Sequence, residues 1–288
     1  MKLLDGKLVS KKVLENVKES VEKLTKGGVQ PKLAVVLVGD NPASLSYIKQ
    51  KRKACEFTGI KWEQINYEDS ITHDELLQTV EELNAREDVH GILVQLPLPD
   101  HIYGPEIIKA ISPRKDVDGF HAYNLGKMFL STEFEELAPC TPMGVIKMLD
   151  EYNIDIAGMD ATVVGASNIV GKPMSTMLLN RDATVTTCHI KTKDLKKHTL
   201  NADLLVVAVG KAGLITEDMV KEGAIVVDIG CNKVDGKLCG DVDFDAISKK
   251  ASYITPVPGG AGPMTVACLM ENTIIACERL TQKSQGNV

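Results

Sequence analysis

The sequence predicts an α/β fold in which helices alternate with the strands of a doubly wound parallel sheet. Two observations support this prediction. Short, almost wholly apolar runs recur along the chain, as expected of strands that are buried on both faces. Helix-compatible segments lie between these runs, which favours right-handed crossovers between parallel strands. The length of 288 residues suits two domains better than one.

The first third of the chain shows this alternation. The predicted strands are Leu33–Gly39, Lys61–Tyr67 and Gly91–Pro97. The predicted helices are Ser44–Thr58, His73–Ala85 and Pro105–Ile111. Regular periodicity then fails near Phe129–Thr141, where prolines appear, and we predict the change of domain there.

The rest of the chain repeats the pattern. The predicted strands are Ala161–Val164, Ala183–Cys188, Asp203–Gly210 and Ala224–Gly230. The predicted helices are Met174–Asn180, Glu217–Lys221 and a last amphipathic helix, Thr265–Leu280, which can return to pack on the first domain. Ligands of such sheets bind outside the carboxyl ends of the strands, here at Gly165, His189, Gly210 and Gly230.

The segment from Ala161 to Ser175 is the most informative part of the chain. An apolar strand runs into a glycine turn, and the turn opens a helix, so backbone N–H groups and the helix dipole favour phosphate binding there. The spacing departs from the dinucleotide fingerprint, because Ser167 replaces the middle glycine and Gly171 comes one residue late. The alternative is a turn that needs glycine for backbone reasons alone.

Composition excludes several classes of protein. Hydrophobic residues make up 44% and charged residues 25%, as in ordinary soluble proteins, and the net charge of −6 argues against a general nucleic-acid binder. No apolar run is long enough for a membrane span, and the first residues lack a signal peptide. Seven cysteines without a C-x-x-C pair, and histidines without metal-ligand spacing, predict a cytoplasmic protein with no metal site.

Tyr47 and Lys51 lie four residues apart and therefore share one face of a predicted helix, close to the carboxyl end of a strand. This position suits a ring-stacking tyrosine and a lysine whose charge burial can tune. The alternative is a surface tyrosine beside a solvated lysine. Gln95 lies inside a predicted strand, where its amide either binds backbone groups or holds Lys51 or a ligand.

Two loops are further candidates. Lys115–Phe120 places two carboxylates beside a glycine, which fits an ordinary turn or a carboxylate that binds a flat, amino-substituted heterocycle. The segment 254–265 holds three prolines and three glycines before a helix. Such a loop has a fixed shape and presents unobstructed N–H groups, so we interpret it as a ligand-covering loop rather than a structural corner.

Together these segments resemble one family closely, the bifunctional methylenetetrahydrofolate dehydrogenase/methenyltetrahydrofolate cyclohydrolases. The motifs that carry the resemblance occur in the family's order and are Tyr47-x-x-x-Lys51, Gly91–Leu98, Lys115–Phe120, Pro139–Gly144, Val163–Pro173, Gly240–Asp243 and Pro258–Thr265.

The resemblance implies a folate-binding catalytic domain (residues 1–136 plus 266–288), a Rossmann-like NADP-binding domain (residues 137–265), a substrate cleft between them and a homodimer. It implies that Lys51 is the catalytic group, that Gln95 orients it, that Tyr47 stacks on the pterin and that Asp118 anchors the pterin. The other implied substrate contacts are Leu96, Pro258, Gly259 and Gly260. The implied cofactor contacts are Gly165, Ala166, Ser167, Ile190 and Cys231.

Two departures bear on the cofactor. Many relatives have arginine at the position of Ala166 and serine at that of Ile190, and both would hold the 2′-phosphate of NADP. No acidic residue follows the second strand of the cofactor domain, whereas Lys191 and Lys193 do, so we predict NADP, with NAD as the alternative. The expected substrate is a tetrahydrofolate derivative. The competing hypotheses are another NAD(P)-linked dehydrogenase and a catalytically silent nucleotide sensor.

Overall fold

The computed structural model describes residues 1–285 and confirms the α/β class. The described chain divides into two compact units. The first comprises residues 1–10, 128–134 and 139–265, and the second comprises residues 11–127, 135–138 and the chain from 266 onwards. The last residues of the predicted folate domain, 286–288, lie outside the described part of the chain.

The second unit is built around a three-stranded parallel sheet. Its strands are β2 (Lys32–Val38), β3 (Lys61–Tyr67) and β4 (Gly91–Val94), in the spatial order β3-β2-β4. The helices that belong wholly or mainly to this unit are α1 (Gly6–Lys26), α2 (Pro42–Thr58), α3 (His73–Ala85), α4 (Gly104–Ala110), α5 (Ala122–Leu130) and α10 (Ala261–Gln285).

Local signals explain the best-predicted of these helices. Asn41 caps α2 with its side chain, Pro42 follows, and Gly59 ends the helix in the left-handed region with φ 84°. Thr72 and Glu75 form a capping box at the start of α3. Six of the seven residues of β2 are buried, because the strand is central and covered on both faces.

The first unit holds a six-stranded parallel sheet in the order β1-β11-β8-β7-β5-β6. The strands of this sheet are β1 (Lys2–Leu3), β5 (Asp160–Val164), β6 (Thr184–Cys188), β7 (Leu204–Val207), β8 (Ile225–Asp228) and β11 (Tyr253–Ile254). A separate antiparallel hairpin pairs β9 (Asn232–Val234) with β10 (Lys237–Cys239). The remaining helices of this unit are α6 (Cys140–Glu151), α7 (Gly171–Leu179), α8 (Leu195–Thr199) and α9 (Phe244–Ile247).

Strand order fixes where each sheet can bind a ligand. In the second unit β3 lies on one side of β2 and β4 on the other, so the chain reverses direction across the sheet at β2. In the first unit the same reversal occurs at β5, between β6 and β7. A crevice forms at the carboxyl ends of the strands at such a switch point.

Several predictions about the elements were wrong in detail, and the strand predicted as Asp203–Gly210, for example, ends at Val207. The segment Glu217–Lys221 is not an α-helix, because only a 3₁₀ turn, Glu217–Met219, forms there. The strand predicted as Gly91–Pro97 ends at Val94, so Gln95 follows the strand instead of lying inside it. Helix α7 begins at Gly171 and α10 at Ala261, three and four residues earlier than predicted, because both helices start within their glycine-containing loops.

The last helix returns to the first part of the chain, as predicted. From Val266 onwards α10 belongs to the second unit, with the three-stranded sheet. The Asn272 amide donates to the carbonyls of Val117, at 2.9 Å, and Ala138, at 3.0 Å. Within residues 1–285, no helix combines the length and the apolar character that a membrane crossing needs.

Candidate functional site

The second unit brings Lys51 and Gln95 together. Lys51 lies on α2 with only 7% of its surface exposed, and its Nζ donates a hydrogen bond to Gln95 Oε1 at 3.0 Å. Gln95 is 9% exposed, and its Nε2 donates to the carbonyl of Leu96 at 2.7 Å. The amide is therefore oriented at both ends, since an ammonium group only donates and a backbone carbonyl only accepts.

Asp118 lies close enough to Lys51 for their charges to interact. The residue is half-buried, and desolvation raises the pKa of its carboxyl group. The positive charge of Lys51 lowers the pKa and the negative charge of Asp116 raises it, but the burial of the carboxyl group is the largest effect. This unit therefore places a carboxyl group, an amine and an amide in one partly dry environment.

The loop that carries Asp118 is held by its neighbours. Asp116 is 1% exposed and accepts hydrogen bonds from the N–H groups of Gly119, Phe120 and His121. Lys115, 5% exposed, donates from Nζ to three carbonyls at the end of α3. Of the two carboxylates in the predicted motif, Asp116 therefore shapes the loop and Asp118 is left for other contacts.

Tyr47 lies one turn before Lys51 on α2 and is half-buried. Leu96, which directly follows Gln95, is also half-buried. Pro258, Gly259 and Gly260 belong to the first unit, and their contact with the substrate stays a prediction.

The first unit contains the glycine turn at the switch point of its sheet. Gly165 has φ 124°, and a side chain there would collide with the carbonyl oxygen of Ala208 at the end of the neighbouring strand β7. A side chain at Gly171 would collide with the carbonyl oxygen of Gly165. Gly171 thus performs the close helix–strand packing that the usual third glycine provides, although it comes one residue late.

Ser167 occupies the position of the middle glycine of the usual fingerprint, but its side chain has a role that glycine cannot have. Its Oγ accepts hydrogen bonds from the N–H groups of Val170, at 3.1 Å, and Gly171, at 3.4 Å. Its carbonyl accepts a hydrogen bond from the backbone N–H of Lys172 at 3.0 Å. These bonds satisfy N–H groups at the start of α7, so a phosphate group would have to bind the turn before Val170.

The end of β6 forms an exposed basic turn. The N–H of His189 donates to Thr192 Oγ1 at 2.9 Å, and Ile190 is 96% exposed at the tip. Lys191 and Lys193 are exposed beside it. The next carboxylate along the chain, that of Asp194, accepts from the N–H of Lys197 and caps α8, so it is already engaged.

Two buried carboxylates of the first unit were not predicted as functional. Asp228 ends β8 and Asp241 follows β10, with exposures of 2% and 0%. The available signals were a carboxylate closing an apolar strand and the Gly240–Asp243 motif. Cys231, predicted to lie near the cofactor, is exposed in the loop between the end of β8 and the start of β9.

The first unit carries a glycine turn at its switch point and a basic loop after the second strand of its cofactor-binding half, and the second unit carries a lysine–amide–carboxyl cluster. These features are those of a nucleotide-dependent enzyme of the doubly wound α/β class. The protein-family model of the tetrahydrofolate dehydrogenase/cyclohydrolase catalytic domain matches residues 4–118 of the sequence. The family model of the tetrahydrofolate dehydrogenase/cyclohydrolase NAD(P)-binding domain matches residues 139–281. The chain belongs to the tetrahydrofolate dehydrogenase/cyclohydrolase family.

Individual relatives agree with this assignment over nearly the whole chain. The bifunctional protein FolD of Nautilia profundicola is 54% identical, covering 98% of this chain and 99% of its own. The crystal structure of the bifunctional FolD enzyme of Campylobacter jejuni is 55% identical with a TM-score of 0.93, covering 97% and 99% of the two chains. FolD of Trypanosoma brucei, solved with NADP and an inhibitor, is 36% identical with a TM-score of 0.93, covering 96% and 97%.

Proposed function

We propose that this chain oxidises 5,10-methylenetetrahydrofolate to the 5,10-methenyl form with NADP and then hydrolyses the product to 10-formyltetrahydrofolate. The observation that carries the proposal is the buried hydrogen bond of 3.0 Å between Lys51 and Gln95, with Asp118 near the same amine. Membership of the family supports both activities and the use of a nicotinamide dinucleotide, and the T. brucei relative was solved with NADP.

The first reaction depends mainly on alignment. The folate N5 lone pair drives hydride out of the methylene bridge, and NADP, when bound, accepts that hydride. No strong protein base is needed, so the task of the chain is to hold the pterin and its one-carbon bridge in a fixed orientation. Asp118 would accept hydrogen bonds from the amino and ring N–H groups of the pterin, and Tyr47 would stack on the ring.

The second reaction requires proton transfer. Water attacks the methenyl carbon, a C–O bond forms, and the bond from that carbon to N5 then breaks to leave the formyl group on N10. Both protons of the attacking water must leave, one as the C–O bond forms and one as the hydroxyl becomes the formyl carbonyl; N5 takes up one proton and the other is released to solvent. Lys51 is the proposed proton-transfer group, and Gln95 holds its Nζ through the amide oxygen.

The residues at the end of the six-stranded sheet fit a dinucleotide. The backbone of Gly165, Ala166 and Ser167 would line the diphosphate, because this turn leads from β5 to the N-terminus of α7 at the switch point of the sheet. Ile190 and Cys231 would contact the cofactor from the ends of β6 and β8. The exposed amines of Lys191 and Lys193 supply the positive charge that a 2′-phosphate needs in the absence of the family's usual arginine.

We also propose the predicted domain assignment, a homodimeric state and a cytoplasmic location.

Large apolar side chains on adjoining segments of the first unit support association with a second copy of the chain. Phe129 and Leu130 are each 69% exposed and Leu179 is 58% exposed, and Asn180 donates to the carbonyl of Met128 beside them. Sedimentation of the purified protein should give twice the mass of one chain, and a monomer would contradict this part.

The experiment that tests the activities follows absorbance after mixing the protein with methylenetetrahydrofolate and NADP. We expect the NADPH band to grow while 10-formyltetrahydrofolate accumulates. A silent nucleotide sensor would bind NADP without forming NADPH. Reduction of NADP by a small hydroxy acid, and not by the folate, would indicate the other dehydrogenase.

A further inference from the structure

Asp241 ties together two loops at the carboxyl edge of the six-stranded sheet. It is fully buried, and its Oδ2 accepts hydrogen bonds from the N–H groups of Val209, at 2.7 Å, and Gly210, at 3.0 Å, directly after β7. Its Oδ1 accepts from Nδ2 of Asn232 at 2.8 Å, at the start of β9. One side chain therefore sets the distance between the loop after β7 and the loop after β8.

Asp228 fixes Asp241 in turn. Its carboxylate accepts from the N–H groups of Gly230, at 2.9 Å, Asp241, at 3.0 Å, and Val242, at 3.0 Å. The backbone is shaped for this arrangement, since a side chain at Gly230 would collide with the Asp241 carboxyl group, and one at Gly240 with that of Asp228. The two acids and the two glycines form a closely packed lock, which we call the Asp228–Asp241 lock.

The loops held by this lock lie beside the switch point. Ala208 directly precedes the Val209–Gly210 pair, and its carbonyl oxygen is the atom against which Gly165 packs. In doubly wound folds the adenosine ribose lies at the end of the second strand, here β6, and the diphosphate at the first turn. The nicotinamide half of a bound dinucleotide would then extend over the ends of β7 and β8, where the locked loops are.

We infer that Asp241 is a positioning residue for the nicotinamide half of the cofactor. It acts through the backbone of Val209 and Gly210 and through Asn232, and Asp228 holds it in place. This inference rests on the proposed function, because it assigns the lock to the dehydrogenase reaction. It predicts that the lock matters for hydride transfer and not for cyclohydrolase chemistry, which uses no nicotinamide.

The variant Asp241→Ala tests the inference by removing all three hydrogen bonds. Dehydrogenase kcat/KM for NADP should fall about tenfold or more, because misplaced reacting groups lose that order of rate. Cyclohydrolase activity, measured with methenyltetrahydrofolate and no NADP, should stay within about twofold as a check that the protein is folded. The affinity for 2′,5′-ADP, the adenosine half alone, should be unchanged by calorimetry.

Two further variants refine the test. Asp241→Asn can keep the two backbone bonds through its amide oxygen, and rotation of the Asn232 amide can restore the third, so this variant should recover most of the dehydrogenase activity. Asn232→Ala removes only the side-chain bond and should lower dehydrogenase kcat/KM by a smaller factor. Asp235→Asn, an exposed change in the turn between β9 and β10, is the matched control and should match the wild type.

The outcomes separate this inference from the proposed function. If the wild type does not reduce NADP with methylenetetrahydrofolate, the proposed function fails and the inference fails with it. If the wild type is active and folded Asp241→Ala keeps its dehydrogenase kcat/KM, or loses 2′,5′-ADP affinity together with NADP affinity, the inference alone is overturned. Should Asp241→Ala not fold, an unchanged dehydrogenase kcat/KM in Asn232→Ala overturns it.

Discussion

The Lys51 ammonium donates to Gln95 Oε1 at 3.0 Å, and this bond connects the middle of helix α2 to the residue that follows strand β4. The opposite end of the same amide donates to the carbonyl of Leu96, so the lysine meets an acceptor whose orientation is already set. A buried amine held in this way is suited to proton transfer at a defined point, and the predictions begin from this pair.

The first prediction separates the two reactions at Lys51. Lys51→Met removes the amine and keeps the bulk of the stem, so cyclohydrolase activity should fall by at least ~10²-fold, the usual contribution of a positioned acid–base group. A measurable part of the dehydrogenase should remain, because hydride transfer depends mainly on alignment. Methenyltetrahydrofolate should then accumulate, which its absorbance reports.

Lys53→Met is the matched control, since Lys53 is exposed two residues further along the same helix. It should leave both rates unchanged. Equal loss of the two activities in folded Lys51→Met would show that the lysine positions the substrate and does not transfer the proton.

The second prediction concerns Asp118. Asp118→Ala removes the carboxyl group proposed to hold the pterin, so folate affinity and both activities should fall, while NADP affinity stays at the wild-type value. Calorimetric titration with each ligand measures the two affinities. Asp100→Ala, an exposed change in the same unit, is the control. Unchanged folate affinity in the Asp118 variant would reduce Asp118 to a turn residue.

The third prediction concerns the choice of cofactor. The wild type should prefer NADP to NAD in steady-state kinetics, because Lys191 and Lys193 are exposed at the end of β6 and Asp194 is engaged as a helix cap. The double variant Lys191→Ala/Lys193→Ala should raise KM for NADP several-fold more than KM for NAD.

Lys197→Ala, exposed on α8, removes one positive charge near the same turn and should leave the cofactor preference unchanged. A wild type that clearly prefers NAD would refute the third prediction. An equal rise of both KM values in the double variant would show that the two lysines do not recognise the 2′-phosphate.

The fourth prediction concerns the pH dependence of stability. Burial raises the pKa of Asp228 to about 6, although three backbone N–H groups oppose the rise. The folded state therefore binds this proton more tightly than the unfolded state. The stabilisation is fully present below the unfolded pKa and is lost as the pH rises through about 6.

Asp228→Asn cannot titrate and removes this dependence. The free energy of unfolding of the wild type, minus that of the variant, should increase by about 1.4 kcal/mol as the pH falls from 7.5 to 5, since the raised pKa of about 6 lies one unit above the lower pH. Urea unfolding at several pH values measures this difference in the free energy of unfolding. For the control Asp235→Asn, the difference from the wild type should not change with pH. A constant difference for Asp228→Asn would mean that the carboxyl group titrates at its ordinary value.

The sequence by itself determined the α/β class, the approximate places of seven of the sheet strands and the residues of the Lys51 cluster, but it did not reveal helices α1, α5 and α6. Helix α3 was predicted at both ends from its apolar period, which is a local signal, and the structure adds a capping box at its start. The buried strands were recognisable because a central parallel strand needs apolar residues on both faces. The roles of Tyr47, Lys51, Gln95 and Asp118 stay predictions, since they come from resemblance and not from a measured contact with folate.

Only the tertiary structure decided which polar groups meet. Lys51 and Gln95 are 44 residues apart, and no local pattern shows that their side chains are bonded. Asp116 and Asp118 look alike in the sequence, yet the folded loop gives Asp116 its N–H partners and leaves Asp118 near the lysine. The Asp228–Asp241 lock was missed for the same reason, because its bonds join loops that only the assembled sheet brings together. Periodicity reports burial along one element, whereas a site depends on distances between elements that lie far apart in the chain.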